Sequence, residues 1–507
     1  MKHNESKTVA IIGAGASGTA CFLQLVHKYI VQRAAQQLRI LIFEKRTHFG
    51  EGLAFGTGQE GHLLNTKAGL MGIFPHERMH FVQWMHENQD MIARKYPQVS
   101  VHPDAYPPRM LFGQYVQEMF AAYCNLAQKQ GIIVDLIRAE VVDATLTKDN
   151  KLILITDEHQ SFKADYCILA TGNTASNSFR KLQKQANFFS SPWPSSRLLK
   201  KITNKRASVS IVGSSLTAID ALITLIDNGH KGPISFFSLK GLLPRVQSPT
   251  EIPYQRKVLT LANVRKHIRE KQNPLRLTDL IRMFRSEAES FLEKPLDWVA
   301  EEREFRDQLQ LLEEDIALAT GKQCLLQNIL YSLRDETYAI WKLLPDDQKL
   351  LFLKWMKPYF DINRHAMPME NGIKIQKVLH AGQLTIIGNT DDIRWKNKRF
   401  ILTTEDGQVN EADYVINASG PTVVVKEMID QPLLPQLLKK GYIEEHPVGG
   451  IRADLESLRV YHSKRKRLSP FYVIGHQLAG LQLDINALWF NVEQADILTN
   501  DLIKNIR

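Results

Sequence analysis

The sequence predicts an α/β protein made of two Rossmann-like, three-layer dinucleotide-binding domains, the second carrying a large helical insertion. Three observations predict it. An apolar strand runs into the glycine turn Gly13-Ala14-Gly15-Ala16-Ser17-Gly18. The same opening and closing segments recur later in the chain. A long block of helical periodicity interrupts the second half.

The first unit opens with Thr8-Val9-Ala10-Ile11-Ile12-Gly13 and closes with Ala164-Asp165-Tyr166-Cys167-Ile168-Leu169-Ala170-Thr171-Gly172. The second opens with Val209-Ser210-Ile211-Val212-Gly213 and closes with Ala412-Asp413-Tyr414-Val415-Ile416-Asn417-Ala418-Ser419-Gly420. Each opening reads as strand, glycine turn and helix. Each closing reads as an apolar strand stopped by a small-small-Gly turn. The repeat predicts a first domain from 1–195 with 421–507, and a second from 200–420 with its helical insertion at about 260–360. A linker is expected from Pro192 to Asn204.

Within the first unit, a helix is expected from about Ser17 to Gln37, then a strand over Leu38–Phe43 ending at Glu44. Ile132–Ile137 and Lys151–Ile155 read as an antiparallel excursion. In the second unit, charged and apolar residues alternate at helical spacing, as in Glu301–Ala319. Short strands follow at Leu384–Ile387 and Phe400–Thr403. The tail offers a strand over Phe471–Gly475 and a helix from about Ile485 to Asn500.

A bare GxGxxG is a weak signal, but this one has a strand before it, a helix after it and an acid at the end of the next strand. Gly13 permits the tight turn, Gly15 lets backbone approach a pyrophosphate, and Gly18 allows close helix–strand packing. Ala16 and Ser17 begin the helix whose free N–H groups and dipole favour a phosphate. Glu44 is placed to accept from ribose hydroxyls and repels a 2′-phosphate, which favours FAD or NAD over NADP here. The glycine-dense loop Gly50–Gly58, with Gly52 inside it, can wrap the far half of a dinucleotide and favours FAD. It leads into His62-Leu63-Leu64-Asn65-Thr66. His62 is either a flavin contact or a buried histidine satisfied by backbone.

The 507 residues exceed one hydrophobic core. At 44% hydrophobic and 23% charged they have ordinary globular composition, with no apolar run near the roughly 20 residues of a membrane span. The polar N-terminus leads straight into a strand and lacks the apolar core of a signal peptide, so a cytoplasmic location is expected. Four scattered cysteines show no CxxC pair and no metal-ligand spacing, and no metal is expected. Cys21 and Cys167 sit among apolar neighbours as buried small hydrophobes. Net charge is +10, concentrated between Arg256 and Arg285 and in Lys464-Arg465-Lys466-Arg467. Neither run is interleaved with aromatics, so both read as solvated faces, and neither nucleic acid nor membrane is expected as a partner.

Gly52-Leu53-Ala54-Phe55-Gly56-Thr57, His62-Leu63-Leu64-Asn65-Thr66 and Met71-Gly72-Ile73-Phe74-Pro75 resemble the FAD/NAD(P)-binding family of FAD-dependent urate hydroxylases and aspartate N-monooxygenases. Pro108–Tyr115, Gly241-Leu242-Leu243-Pro244-Arg245 and Asn363-Arg364-His365 extend the likeness along most of the chain, which is broadly similar to the class B flavin monooxygenases. The resemblance implies a two-domain enzyme in which NAD(P)H reduces bound FAD. Reduced flavin then captures O2 as a C4a-(hydro)peroxide that hydroxylates a small amino-acid-like or heterocyclic substrate. Lys45, Thr66, Arg109, Val141, Thr171 and Gly172 complete the expected first cofactor site, with Gly475 approaching the ribityl chain or flavin after the last strand.

The second glycine turn departs from the full fingerprint, for Gly213-Ser214-Ser215-Leu216-Thr217-Ala218 keeps one glycine of three. Ser214, Ser215 and Thr217 offer hydroxyls to a phosphate instead, or the turn has lost its nucleotide. The following strand ends at Ser238-Leu239-Lys240, and Lys240 with Arg245 would suit a 2′-phosphate, pointing to NADPH over NADH. Cofactor chemistry needs position and dryness from the protein. Asn65 is expected as a hydrogen-bond donor near the flavin, and Arg364 and His365 as groups facing substrate or nicotinamide phosphate. Arg364 would clamp a carboxylate, although an Arg-His pair also suits a helix C-terminus. The alternatives are a flavin reductase or oxidase without organic hydroxylation, and an RNA-associated flavoprotein using the basic surface.

Overall fold

The computed structural model describes residues 6–32, 37–249, 253–293, 295–296, 303–304, 306–464 and 467–506. It divides into two compact units: Met1–Thr57 with Thr66–Ala175 and Pro421–Arg507, and Gly58–Asn65 with Ser176–Gly420.

In the first unit, β1 (Lys7–Ile12) is an apolar strand with four consecutive buried residues, as a strand covered on both faces must be. It feeds α1 (Ala16–Val31), and β2 (Leu38–Phe43) returns parallel with Lys7 opposite Leu38. Helix α2 (Arg109–Lys129) precedes β3 (Ile133–Ile137), and β4 (Tyr166–Leu169) closes beside β1 with Tyr166 opposite Val9. The C-terminal strands Arg459–His462 and Arg467–Val473 complete one six-stranded sheet, in the order Arg459–His462, Arg467–Val473, β4, β1, β2, β3. Only its first pair is antiparallel. The expected excursion is therefore corrected at Ile133–Ile137, which is the parallel edge of the main sheet. Apolar alternation does not say which neighbour a strand chooses. The antiparallel part is the small sheet Val141–Leu146, Leu152–Thr156 and Ser161–Ala164. The last helix, Leu488–Ile506, packs on α1.

The second unit repeats the plan. Strand β5 (Val209–Val212) leads to α3 (Leu216–Asp227) and β6 (Ile234–Phe237). The all-parallel sheet runs Leu384–Ile387, β6, β5, Tyr414–Asn417, Phe188–Phe189. A second antiparallel trio, Thr390–Lys396, Arg399–Thr404 and Val409–Ala412, precedes the closing strand as its counterpart does in the first unit. Between β6 and that trio lies the helical insertion. It includes α4 (Leu261–Lys271), α5 (Leu277–Leu292), Gln308–Thr320, Leu325–Ser332, Thr337–Leu343, α6 (Asp346–Leu351) and α7 (Lys357–Arg364). Part of the expected helical stretch Glu301–Ala319 lies outside the described residues, as do Arg465 and Lys466.

The expected α/β class with its repeated three-layer units and helical insertion is what the structure has. The expected linker is not. Residues 176–204 group with the second unit and contain the strand Phe188–Phe189 and the helix Ser195–Lys201. Pro192 and Pro194 suggested a linker, but Pro194 only stands before the helix, where a missing N–H costs nothing. Cys21 and Cys167 are free and buried, as expected. Burial pushes the Cys21 thiol up to about 12. Among the described residues, no helix is long and apolar enough to cross a membrane.

Candidate active site

The first glycine turn stands between β1 and α1, and the Gly13 N–H donates to the Phe43 carbonyl at the end of β2 at 2.9 Å. Gly13 has φ +98°, and a Cβ there would lie 2.2 Å from the Ala170 carbonyl oxygen. The opening turn is thus seated on the end of the closing strand. The second unit does the same: Gly213, φ +109°, has the Ala418 carbonyl 2.7 Å from a Cβ. A side chain fits neither position.

Gly15 is the N-cap of α1, and with no side chain of its own it leaves that terminus without a side-chain cap among the described residues. Gly18 is buried, while Gly15, Ala16 and Ser17 are partly exposed. Gly52, φ +62°, lies so close to Gly15 that a Cβ would come within 2.8 Å of its Cα. The Glu44 carboxylate, 7% exposed, accepts the Ala14 N–H at 3.0 Å and, through its other oxygen, the Arg46 N–H at 3.0 Å. Burial draws the Arg46 guanidinium below its usual range, against the pull of Glu44 and Glu51. An uncapped helix N-terminus, bare backbone and an adjacent acid fit a dinucleotide whose pyrophosphate meets the helix and whose ribose meets the acid.

Other expected residues of this unit are also placed. A Cβ on Gly475, φ +78°, would lie 3.6 Å from Ser17 Oγ, so the last strand does return to the first turn of α1. Thr171 and Gly172 are held by two glutamines that sequence reading missed. Gln477 Nε2 donates to Thr171 Oγ1 and the Gly172 carbonyl, both at 2.8 Å, and Gln431 Nε2 donates to the Thr171 carbonyl at 3.2 Å. Gln477 is fully buried, and its Oε1 has no partner among the described residues. Lys45 reaches Glu140 at 2.8 Å, at the surface. Arg109 begins α2, Val141 begins the small sheet, and Thr66 is partly buried after the 58–65 stretch.

In the second unit, Ser215 is the exposed N-cap of α3 and Thr217 is partly buried behind it. Ser214 is buried, and its hydroxyl donates to the Leu242 carbonyl at 2.6 Å and lies 3.1 Å from Ser238 Oγ. It therefore ties the turn to the loop after β6. Lys240 pairs with Glu304 at 2.9 Å. Arg245 lies 3.8 Å from Asp315, which also takes both arms of Arg303 at 3.2 and 2.6 Å. A 2′-phosphate would compete with these carboxylates.

His62 is fully buried, its Nε2 between the Asp220 carbonyl at 3.0 Å and Thr224 Oγ1 at 2.9 Å. The ring holds the 58–65 stretch against α3. Asn65, at the end of that stretch, is tied by Gln247 to Ala366, the residue after the expected catalytic pair. Gln247 Nε2 donates to the Asn65 carbonyl at 2.8 Å and the Ala366 carbonyl at 2.6 Å. Arg364, 5% exposed, ends α7 with its guanidinium 5.6 Å from the Tyr331 ring centroid. His365 Nδ1 is 3.3 Å from Asp361. Burial raises the Asp361 carboxyl, but His365 and Lys357 outweigh it and hold the group below its ordinary value. Nothing local in the sequence marked Gln247, since its partners are distant in the chain.

A family model described as FAD-NAD(P)-binding matches residues 10–174. Residues 10–174 are an FAD/NAD(P)-binding domain. No curated protein matches the chain. Among solved structures, the chain is similar in fold to ornithine hydroxylase from Pseudomonas aeruginosa, at 14% identity over 99% of this chain and 100% of that one, with a TM-score of 0.59. The ornithine N-hydroxylase of Kutzneria sp. 744 follows at 13% identity, 99% of each chain and 0.56. L-lysine 6-monooxygenase from Pseudomonas syringae follows at 13%, 99% and 100%, and 0.55. The likeness is one of fold, and it spans both units.

Proposed function

We propose that the chain is an FAD-dependent, NAD(P)H-using monooxygenase that hydroxylates a small amino-acid-like or heterocyclic substrate with O2, related to the urate hydroxylases and aspartate N-monooxygenases. The observation that carries the reading is the first glycine turn, an uncapped α1 N-terminus closed by Gly52 and bordered by the buried Glu44. The end-to-end likeness to enzymes named for hydroxylating ornithine and lysine supports the amino-acid-like substrate.

FAD, when bound, supplies the redox chemistry with NAD(P)H and O2. The chain supplies the rest. Gly15, Ala16 and Ser17 carry the pyrophosphate on the N–H groups of the α1 N-terminus, Gly13 and Gly18 shape the turn, and Glu44 accepts from the ribose. Thr171, Gly172 and Gly475 keep backbone close to the same turn. In the second unit, Arg364 presents a buried guanidinium to a substrate carboxylate, and Asn65 offers a side-chain amide from a backbone that Gln247 holds. Ser215 and Thr217 remain the hydroxyls available to a nicotinamide phosphate at α3.

The test is a substrate screen on purified, FAD-loaded protein that follows NADPH oxidation and hydroxylated product together. Substrate-stimulated oxidation with matching product formation is expected. A protein that takes up no FAD, or one that releases peroxide without product across amino acids, amines and purines, overturns the proposal.

A further inference from the structure

Exposed apolar side chains scattered singly are ordinary, but contiguous ones mark a surface that is covered in use. The helical insertion has such a group. Along α6 and the π-helical turn Phe352–Met356 that continues it, residues 347, 350, 351, 354 and 355 are the exposed ones, a single stripe at helical spacing. The stripe reads Asp347, Leu350, Leu351, Lys354, Trp355. Its three apolar members are 47%, 41% and 60% exposed. Lys354 Nζ stands 4.8 Å from the Trp355 ring centroid, an ammonium beside an indole as at a water–lipid boundary.

Two cationic helices lie close by: α5 touches α6, and α4 touches Thr337–Leu343, the helix just before α6. Gln348 of α6 accepts the Leu277 N–H of α5 at 3.0 Å, so the two helices meet at the start of α5. On α4, α5 and the turn between them, Arg265, Lys266, Arg269, Lys271, Arg276, Arg282 and Arg285 are all exposed. Over 261–290 the exposed carboxylate is Glu270, 3.8 Å from Lys266; buried Asp279 draws Lys271 and Arg282 at 3.5 and 3.7 Å, and part-buried Glu289 takes Arg285 at 2.8 Å, so the seven cations still outnumber the acids that face them. Glu287 instead accepts the N–H groups of Val258 and Leu259 at 2.6 and 2.7 Å.

We propose that the helical insertion docks peripherally on an anionic lipid surface, setting Leu350, Leu351 and Trp355 into the interface and the cations of α4 and α5 against the headgroups. A second copy of the chain suits the patch poorly, since pairing it with itself would bring like charges together. A polyanion without an apolar layer would leave the Leu-Leu-Trp stripe uncovered. A bilayer interface answers both features, because Trp and Leu favour its boundary and Lys and Arg its anionic headgroups.

The experiment is co-sedimentation of the FAD-loaded full chain with phosphatidylcholine vesicles, with and without phosphatidylglycerol, over a range of salt. Binding that needs phosphatidylglycerol and weakens with salt is expected. The variant Leu350→Ser/Leu351→Ser/Trp355→Ser should lower the partition coefficient at least about tenfold with FAD content and melting unchanged. The variant Arg265→Glu/Lys266→Glu/Arg269→Glu should do the same through charge alone, without touching the stripe. Equal binding to both vesicle types, or full binding by either variant, overturns the proposal. So does a lipid-free dimer that the triple serine variant dissociates.

Discussion

The carboxylate of Glu44 accepts the main-chain N–H of Ala14 at 3.0 Å, across 30 residues of chain. The acid expected to meet a ribose also braces the turn expected to meet the pyrophosphate. Glu44→Ala removes both roles. It should cost about 1–3 kcal/mol from the unpaired Ala14 N–H and strip most of the flavin. The flavin-to-protein absorbance ratio and the melting temperature with added FAD check this. Full flavin retention would remove Glu44 from the site.

Gly18 and Gly172 make a contrasting pair. A Cβ on Gly18 would fall 1.9 Å from the Gly13 carbonyl oxygen, whereas around Gly172, φ +73°, the space is open. Gly18→Ala should yield no flavin-loaded protein. Gly172→Ala should fold, losing about 1–2 kcal/mol to backbone strain alone. Purification colour and thermal melting separate the two.

Gln247 joins Asn65 to the segment after Arg364 and His365. Gln247→Leu leaves two carbonyls without this donor and should lower kcat several-fold with flavin content intact. Arg364→Lys should raise KM for a carboxylate-bearing substrate about tenfold or more, because an ammonium does not reproduce a guanidinium stacked on Tyr331. Steady-state kinetics with the same substrate and its amide distinguish carboxylate binding from a general loss of fold.

Asp315 serves two arginines in the second unit, with Arg303 and Asp315 themselves 5% and 4% exposed. Asp315→Ala should therefore cost about 3–5 kcal/mol, seen as a lower urea midpoint. Lys240 is half-exposed and its partner Glu304 nearly buried, but Glu304 keeps a second donor in the Tyr359 hydroxyl, so losing Lys240 should cost only about 1 kcal/mol. Lys240→Ala should leave stability nearly unchanged, and it reports on nicotinamide choice. A KM that rises for NADPH but not NADH assigns Lys240 to the 2′-phosphate.

His476 follows Gly475, is 3% exposed and has Nε2 3.0 Å from the Thr422 carbonyl. Burial holds its imidazole below the ordinary value, against the Thr422 carbonyl and Asp430. A depressed folded value means that the unfolded chain takes up the proton first. The contribution is complete above about pH 6.5 and is lost as pH falls from there toward the folded value. Melting temperature between pH 7.5 and 5.5 should drop, and the His476→Gln variant should show a shallower drop.

How much of this was legible depended on how local the cause was. Gly13, Gly18 and Glu44 announced themselves because strand, turn, helix and next strand are consecutive in sequence. The repeat was legible for the same reason, and the seat of Gly13 on Ala170 returns as Gly213 on Ala418. Ile133–Ile137 was misassigned because an apolar strand carries no label for its partner. Gln431, Gln477 and Gln247 were invisible because each acts on residues more than a hundred positions away, through contacts that only folding creates. Lys240 and Arg245 were legible as cations, but their acid partners Glu304 and Asp315 were not legible as partners.

The chain passes from one unit to the other at Thr57, Asn65, Ala175 and Gly420. Neither unit is a continuous stretch of the gene. A clone ending at Ala175 would lack the strand Arg467–Val473 that lies beside β4, leaving that strand's edge bare and prone to aggregate. To obtain the flavin-binding half alone, an experimenter would have to splice three segments together, replacing Gly58–Asn65 and Ser176–Gly420 with short bridges.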